Sequence, residues 1–493
     1  MIKYILTIFL ILTTVLVQAN VLEPGKTAIA EMDTAQNART DRENYFLSAV
    51  EVFGINAFVN CFDRFVLKEE FAEISFHSIK RNFEHGFVWD NDKFSTNLFF
   101  HPYHGGLYFN AARSNGLNFW QSAPFALGGS LIWEFAGEIE PPAINDIFAT
   151  TLGGIAIGEI THRLSNLVIN ESAYGWERLW RELVATAICP MKGLNRILSG
   201  KAWERKTSFY KYHDYNTLPI DFSVFVGTRY LADEGSFVRG ESNPVVTLNV
   251  DYGDVYDLAS NNPYDYFSAN ATFGFSSNQP LISQVHLIGR LWGTEISLQE
   301  KAKAQYGFFQ HFNYYDSESV VKGETEVPFR ISEAASIGGG FIYSIHDIGR
   351  LKTISQKIFT NIVLLGGSIS DYYGNIDRDY NMGSGFAVHI NTDVKFAKAG
   401  CFVLNADYYN IYTWKGIEDV ENPQEKNPLY LNVQGNKGST SLFVINPVIE
   451  LNIIHHLDYH ISLFYYRRNT YYKHRKDIES RTYEFKMGLK YTI

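Results

Sequence analysis

From residue 218 onward, apolar and polar residues alternate with a period of two, and the pattern returns after every cluster of turn residues. Ile220, Phe222, Val224 and Val226 alternate with Asp221, Ser223 and Gly227. Val246, Leu248, Val250 and Tyr252 alternate with Thr247, Asn249 and Asp251. Leu281, Val285, Leu287 and Leu291 do the same with Gln284, His286 and Arg290. Residues two apart share one face of a strand, so each segment carries one apolar and one mixed face. Similar segments lie near 264–275, 303–315, 334–346, 357–370, 383–394, 400–414, 439–452 and 457–470, between turns such as Asp316-Ser317-Glu318 and Asn436-Lys437-Gly438. The final run sets Tyr483, Phe485, Met487, Leu489, Tyr491 and Ile493 against Glu484, Lys486, Gly488, Lys490 and Thr492. The total is about twelve strands, an even number compatible with a closed antiparallel barrel.

Composition decides where such a barrel belongs. Aromatics make up 15% of the 493 residues, with Tyr 31 and Phe 37, yet mean hydropathy is only −0.14. Membrane helices would need several spans of about 18 or more apolar residues. Strands that alternate lipid-facing and water-facing positions need no such runs. The last strand resembles the C-terminal sorting strand of outer-membrane barrel proteins, although those usually end in Phe and this one ends in Ile493. At the other end, Lys3, the apolar run 5–17 and Val17-Gln18-Ala19 read as a cleavable signal peptide over 1–19, giving an exported, outer-membrane protein. Cys61, Cys189 and Cys401 are widely spaced and odd in number, neither a disulfide framework nor a metal motif. A net charge of −10 argues against nucleic acid as a partner. The fold class expected is an α+β membrane protein, a helical domain followed by an outer-membrane β-barrel.

Ahead of the barrel the period is helical. A polar leader over 20–43 precedes a helical domain over 44–206, either a plug or a periplasmic platform, and a linker over 207–217 leads to the barrel at 218–493. Phe46, Val50, Phe53, Ala57 and Phe62 suit one amphipathic helix. Residues 89–105, with an Asp/Asn turn and alternating aromatics, suggest a hairpin or extended segment. A helix over 119–138 ends at Pro141-Pro142, and a second one over about 144–166 contains Gly154-x-x-x-Gly158. Small residues on both allow close approach. A last helix over 176–198 should break at Pro190, and its Arg178, Arg181, Lys192 and Arg196 form either a solvated face or a contact for anionic lipid headgroups.

Acids and histidines within these apolar segments are the candidates for chemistry, because burying them demands partners or a purpose. Glu134 and Glu138, one turn apart, could act as paired carboxylates with His101 or His104. Glu159-x-x-His162 has the spacing of a carboxylate-bridged metal site, but it occurs once where such sites need it twice. The non-catalytic alternative is a polar core in which Arg113, Asn145, Asp146, Glu159, His162 and Arg163 pair with one another and with backbone amides. No phosphate-binding loop or dinucleotide fingerprint is present, so no cofactor is expected.

The helical region also resembles a family of Gram-negative envelope proteins defined only as a domain of unknown function. The resemblance is carried by NDKFSTNLFFHPYHGGLYFNAARSNGLNFWQSAP (91–124), GGSLIWEFAGE (128–138), EPPAINDIFATTLGGIAIGE (140–159) and WERLWRELVATAICPMKGLNRIL (176–198). It implies an outer-membrane setting and supplies no catalytic residue. The function expected is a non-enzymatic barrel with a plug-like helical domain. Its partners would be outer-membrane lipid and a small or lipidic ligand, or its role structural. The alternative is a lipid or glycan hydrolase using Glu134 and Glu138.

Overall fold

The computed structural model describes residues 43–204, 220–233, 236–258, 261–298, 301–320, 327–397 and 399–493. The expected signal peptide, the leader up to residue 42 and the 207–217 linker lie outside them. Strands β1 (Ile220–Asp233) to β12 (Ile478–Thr492) form a closed barrel in which sequence neighbours pair and β1 closes against β12. All pairings are antiparallel, and the closing seam runs in register from Ser223↔Thr492 to Leu231↔Glu484. Closure leaves no edge strand with unpaired amides.

The alternation sets inside and outside as the sequence implies. On β12, Glu484 and Lys486 are 2% and 5% exposed in the lumen, whereas Met487 and Leu489 on the outer wall are 38% and 45% exposed. Toward one end the lumen is filled by the barrel's own side chains. Leu231, Tyr315, Val363, Tyr409, Leu442 and Tyr466 meet across it in one cluster. The connection between β5 (Ala302–Tyr315) and β6 (Ile331–Ile348) folds in from one end, stacking Phe329 on Tyr466 at 4.0 Å. At the other end the connection between β2 (Ser236–Tyr252) and β3 (Phe267–Gly274) is held by Arg290. Its guanidinium donates to the carbonyls of Val255 at 2.7 Å and Asp257 at 2.8 Å.

Eight α-helices precede the barrel among the described residues: α1 (Tyr45–Phe62), α2 (Phe76–His85), α3 (His101–Ser114), α4 (Phe119–Ala136), α5 (Ile144–Phe148), α6 (Gly154–Val168), α7 (Gly175–Ile188) and α8 (Pro190–Leu198). Single π-helical turns extend α1 and join α5 to α6. Asn118 and Gln121 cap α4 reciprocally, each side chain accepting the other's backbone N–H. Cys189 separates α7 from α8, and Pro190, which has no N–H, takes the first position of α8. The expected hairpin over 89–105 is not formed: after the isolated bridge Val88↔Ala143, a helical course begins at Thr96. Buried Leu98, Pro102, Gly105 and Phe109 recur every three to four residues, and this helical spacing overrides the aromatic alternation.

The helical domain is not a plug. Phe94 and Phe99 pack on Tyr314 at 5.3 and 5.5 Å, and Gln310 donates to the Leu152 carbonyl at 2.8 Å. Tyr314 and Gln310 point opposite to the lumen-facing His311, Asn313 and Tyr315, so the helices lie on the outer wall. A lumen already filled by aromatic side chains leaves them no room. Their own packing relies on α3 and α6 touching backbone to backbone. A Cβ on Gly154 would stand 2.5 Å from the Gly105 carbonyl carbon. Gly154→Val is therefore expected to destabilise the helical domain by about 1–3 kcal/mol through overpacking. Limited proteolysis should show faster cleavage within 86–191 while the barrel stays resistant.

Candidate functional site

Three polar clusters are built from the candidate residues and from some that the sequence does not flag. The first lies at the barrel rim, where Arg378 donates to the Asp90 carbonyl at 2.5 Å. The Asp90 carboxylate accepts from Asn97 at 2.6 Å and from Asn145 at 2.9 Å. Asn145 also donates to Asp146 at 2.8 Å. His101 Nε2 stands 3.7 Å from Asp146 and 4.0 Å from Asp92. Pro141 and Pro142 have no N–H, so Ala143 is the first donor after that turn, and it donates to Glu134 at 2.6 Å. Glu134 is 1% exposed, and burial holds its carboxyl well above the usual range, with Asp90 and Asp92 adding to the shift. Glu138 is raised first by burial and then by Glu134. Asp146 is raised by burial and by Asp90. Burial lowers His101, and it pushes His104 down to about 3. His104 does not face the carboxylates as a partner: its ring packs on Tyr108 at 4.6 Å and Trp133 at 5.5 Å. Burial thus favours the neutral forms of Glu134, Glu138, Asp146 and the two histidines, and Asn97 and Asn145 tie the cluster together.

The second cluster joins helices to barrel. Glu159, fully buried, accepts from Arg113 at 2.7 and 3.1 Å and from Arg163 at 2.8 Å. Arg163 also reaches the Pro263 carbonyl at 2.8 Å and Asp265 at 3.2 Å, on the β2–β3 connection. Both Glu159 oxygens accept from guanidinium groups, the pairing of the polar-core alternative. His162 is held well below its ordinary pKa by burial and by Lys192, Arg113 and Arg163. The basic helix face is also accounted for internally. Arg196 donates to Glu182 at 2.7 and 2.9 Å. Arg178 reaches the Lys201 carbonyl at 2.7 Å, and Arg181 pairs with Glu177 at 2.9 Å. It is neither a solvated face nor a row of free cations for lipid.

The third cluster sits inside the barrel. His389, on β8 (Tyr380–Phe396), lies between Glu333 of β6 at 3.1 Å and Asp407 of β9 (Gly400–Thr413) at 2.8 Å. Asn313 and Asn361 donate to the two Glu333 oxygens at 2.5 and 2.9 Å. His311 stacks on His389 with ring centroids 5.2 Å apart. The alternation in the sequence marks His286 for the polar face of its strand, but Glu333 and His389 were not singled out. Glu333 precedes a bulge at Ala334–Ala335 that shifts the register of β6 and breaks its period. The signal for His389 was available, since Ala387, His389, Asn391 and Asp393 alternate with Val388, Ile390 and Thr392. Glu134, Glu138 and Glu159 do not converge on one cleft, since Glu159 belongs to the arginine clasp.

Residues 86–191 match the model of a family described as a domain of unknown function (DUF3943). No curated protein matches the chain in sequence. Among solved structures, a NanC porin is 10% identical, with 55% of this chain and 98% of that one covered and a TM-score of 0.26. OmpT, an outer membrane protein of Vibrio cholerae, is 7% identical, covering 56% and 97%, with a TM-score of 0.25. The outer membrane channel DcaP of Acinetobacter baumannii is 10% identical, covering 56% and 97%, with a TM-score of 0.21. These likenesses are shallow, and the barrel assignment rests on the strand pairing of this chain itself.

Two expectations follow from the helical clusters. The folded pKa of Glu134 lies above its ordinary value of 4.5. Its contribution to stability is therefore full below that pH and is lost as pH rises toward the folded value. Glu134→Gln should flatten this slope and raise thermal stability at pH 8 relative to the parent, as read by melting curves from pH 5 to 8. Glu159→Gln leaves two arginines without their carboxylate and should cost about 3–5 kcal/mol. That loss should appear as faster amide exchange in α3 and α6.

Proposed function

We propose that the protein is an integral outer-membrane barrel without an open pore, a non-enzymatic envelope component that contacts lipid with both its wall and its helical domain. The observation that carries this reading is the exposed apolar belt. Ile358, Ile362, Phe386, Ile390, Ile449 and Leu489 project outward and are each at least a third exposed, whereas the opposite faces of the same strands hold charged and amide groups. Large exposed apolar surfaces mark contact with membrane or partner. Helix α1 and its π-helical extension, Tyr45–Leu67, contain an 18-residue stretch with a mean hydropathy of 1.4 and leave Phe46, Phe53, Phe58 and Phe65 exposed. A groove of about 430 Å³ on the outer wall, lined by Trp292, Tyr306, Phe308, Phe341 and Ile358, offers a place for an acyl chain or another lipidic ligand. Hydrolysis by Glu134 and Glu138 has less support, because Glu134 already accepts the Ala143 amide and His104 is turned to aromatic rings.

Arginine on the lipid face tests the reading. At mid-wall positions such as Ile362 or Leu489 it should cost about 2–4 kcal/mol of folding into a bilayer. The readout is the folded fraction in liposomes, from heat-modifiable electrophoretic mobility. A water-soluble barrel would tolerate both substitutions, and full folding of both variants rejects a membrane setting. Purified protein in planar bilayers should give no steady conductance, and a stable open channel would reject the closed-lumen reading.

A further inference from the structure

Among the described residues, the only set of three metal-ligating side chains whose donor atoms converge is His311, Glu333 and His389, in the barrel lumen. One donor atom from each lies within 4.8 Å of the other two. They are 1%, 0% and 7% exposed. We propose that these three residues bind a divalent transition metal of the zinc type inside the barrel. The inference does not depend on the cellular setting of the barrel.

Three observations carry it. Neither ring nitrogen of His311 has a hydrogen-bond partner among the described residues, although the ring is buried beside His389. Buried imidazole nitrogens are normally paired; the unprotonated nitrogen of a neutral His311 therefore carries an unused lone pair of the kind a metal ion takes. The second observation is the support behind the donors. His389 Nδ1 is 2.8 Å from Asp407, the carboxylate–histidine arrangement that fixes the tautomer and turns Nε2 toward a metal. Asn313 and Asn361 hold both oxygens of Glu333. Third, the spacing suits a tetrahedral ion. Bonds of about 2.0–2.2 Å set neighbouring ligand atoms about 3.3 Å apart, and His389 Nε2 and Glu333 Oε2 already stand 3.1 Å from one another. A rotation of His311 toward them completes three ligands. Two histidines and one glutamate leave the fourth position of a tetrahedral site open.

The test uses the full chain refolded into detergent with and without Zn²⁺, followed by dialysis, elemental analysis and native mass spectrometry. The wild type should retain one zinc per chain and unfold at a higher temperature when loaded. His311→Ala and Glu333→Gln should weaken zinc binding by at least 100-fold while keeping heat-modifiable mobility. Asp407→Asn, which acts through His389, should weaken it about 10–100-fold. Should the variants fail to fold, Co²⁺ loading of the wild type decides alone: intense tetrahedral visible bands support the site, and the spectrum of the aqueous ion rejects it. Wild type that takes up no zinc, or His311→Ala that keeps it, also rejects the site. The trio would then be only a hydrogen-bonded bridge from Glu333 through His389 to Asp407.

Discussion

Closing twelve antiparallel strands into a ring satisfies every ladder and commits every second side chain to a confined interior. That commitment governs the rest of the molecule. Interior positions must fill the lumen and satisfy one another, which Tyr315, Tyr409 and Tyr466 do by volume and Glu333, His389 and Asp407 by pairing. Exterior positions are free to be apolar, and they are. Because the interior is full, the helical domain has only the outer wall to pack against.

The two halves are joined by chemistry of opposite kinds. Aromatic contacts such as Phe94 on Tyr314 supply area without direction, while the Glu159 clasp supplies direction at one point through Arg113 and Arg163. A buried carboxylate shared by two guanidiniums gives less net stability than its short distances suggest, since all three groups lose water. Its use is to fix how α3, α6 and the β2–β3 connection meet. The rim cluster meets the same burial problem differently: burial favours the neutral carboxyls of Glu134 and Asp146, and the Ala143 amide and Asn145 donate to them.

Much of this was legible in the sequence. The period-two segments gave the strand number and the faces of β12, and Pro141-Pro142 and Pro190 gave helix limits. Arg113, Asn145, Glu159 and Arg163 stood out by residue type, because a polar group in an apolar helix needs a partner, and each has one in the fold. Three things were not legible. The helical start at Thr96 was hidden by aromatics that mimic strand alternation. Glu333 was hidden by a bulge, which moves a residue to the other face without changing composition. Arg181–Glu177 and Arg178–Glu182 are i,i+4 pairs within α7 and were open to reading, whereas Arg196 meets Glu182, and Arg178 the Lys201 carbonyl, only when the helices fold back.

The sequence by itself determined the architecture, because strand and helix periods are local properties of side-chain order and a wall with two solvents must alternate. It also determined which residues would be costly to bury. Only the tertiary structure decided which side of the wall the helices occupy. Only it showed that Glu159 faces two arginines rather than a metal, and that His311, Glu333 and His389 share one pocket. Those facts depend on contacts between strands far apart in the chain, set by barrel closure and register, and no local pattern encodes them.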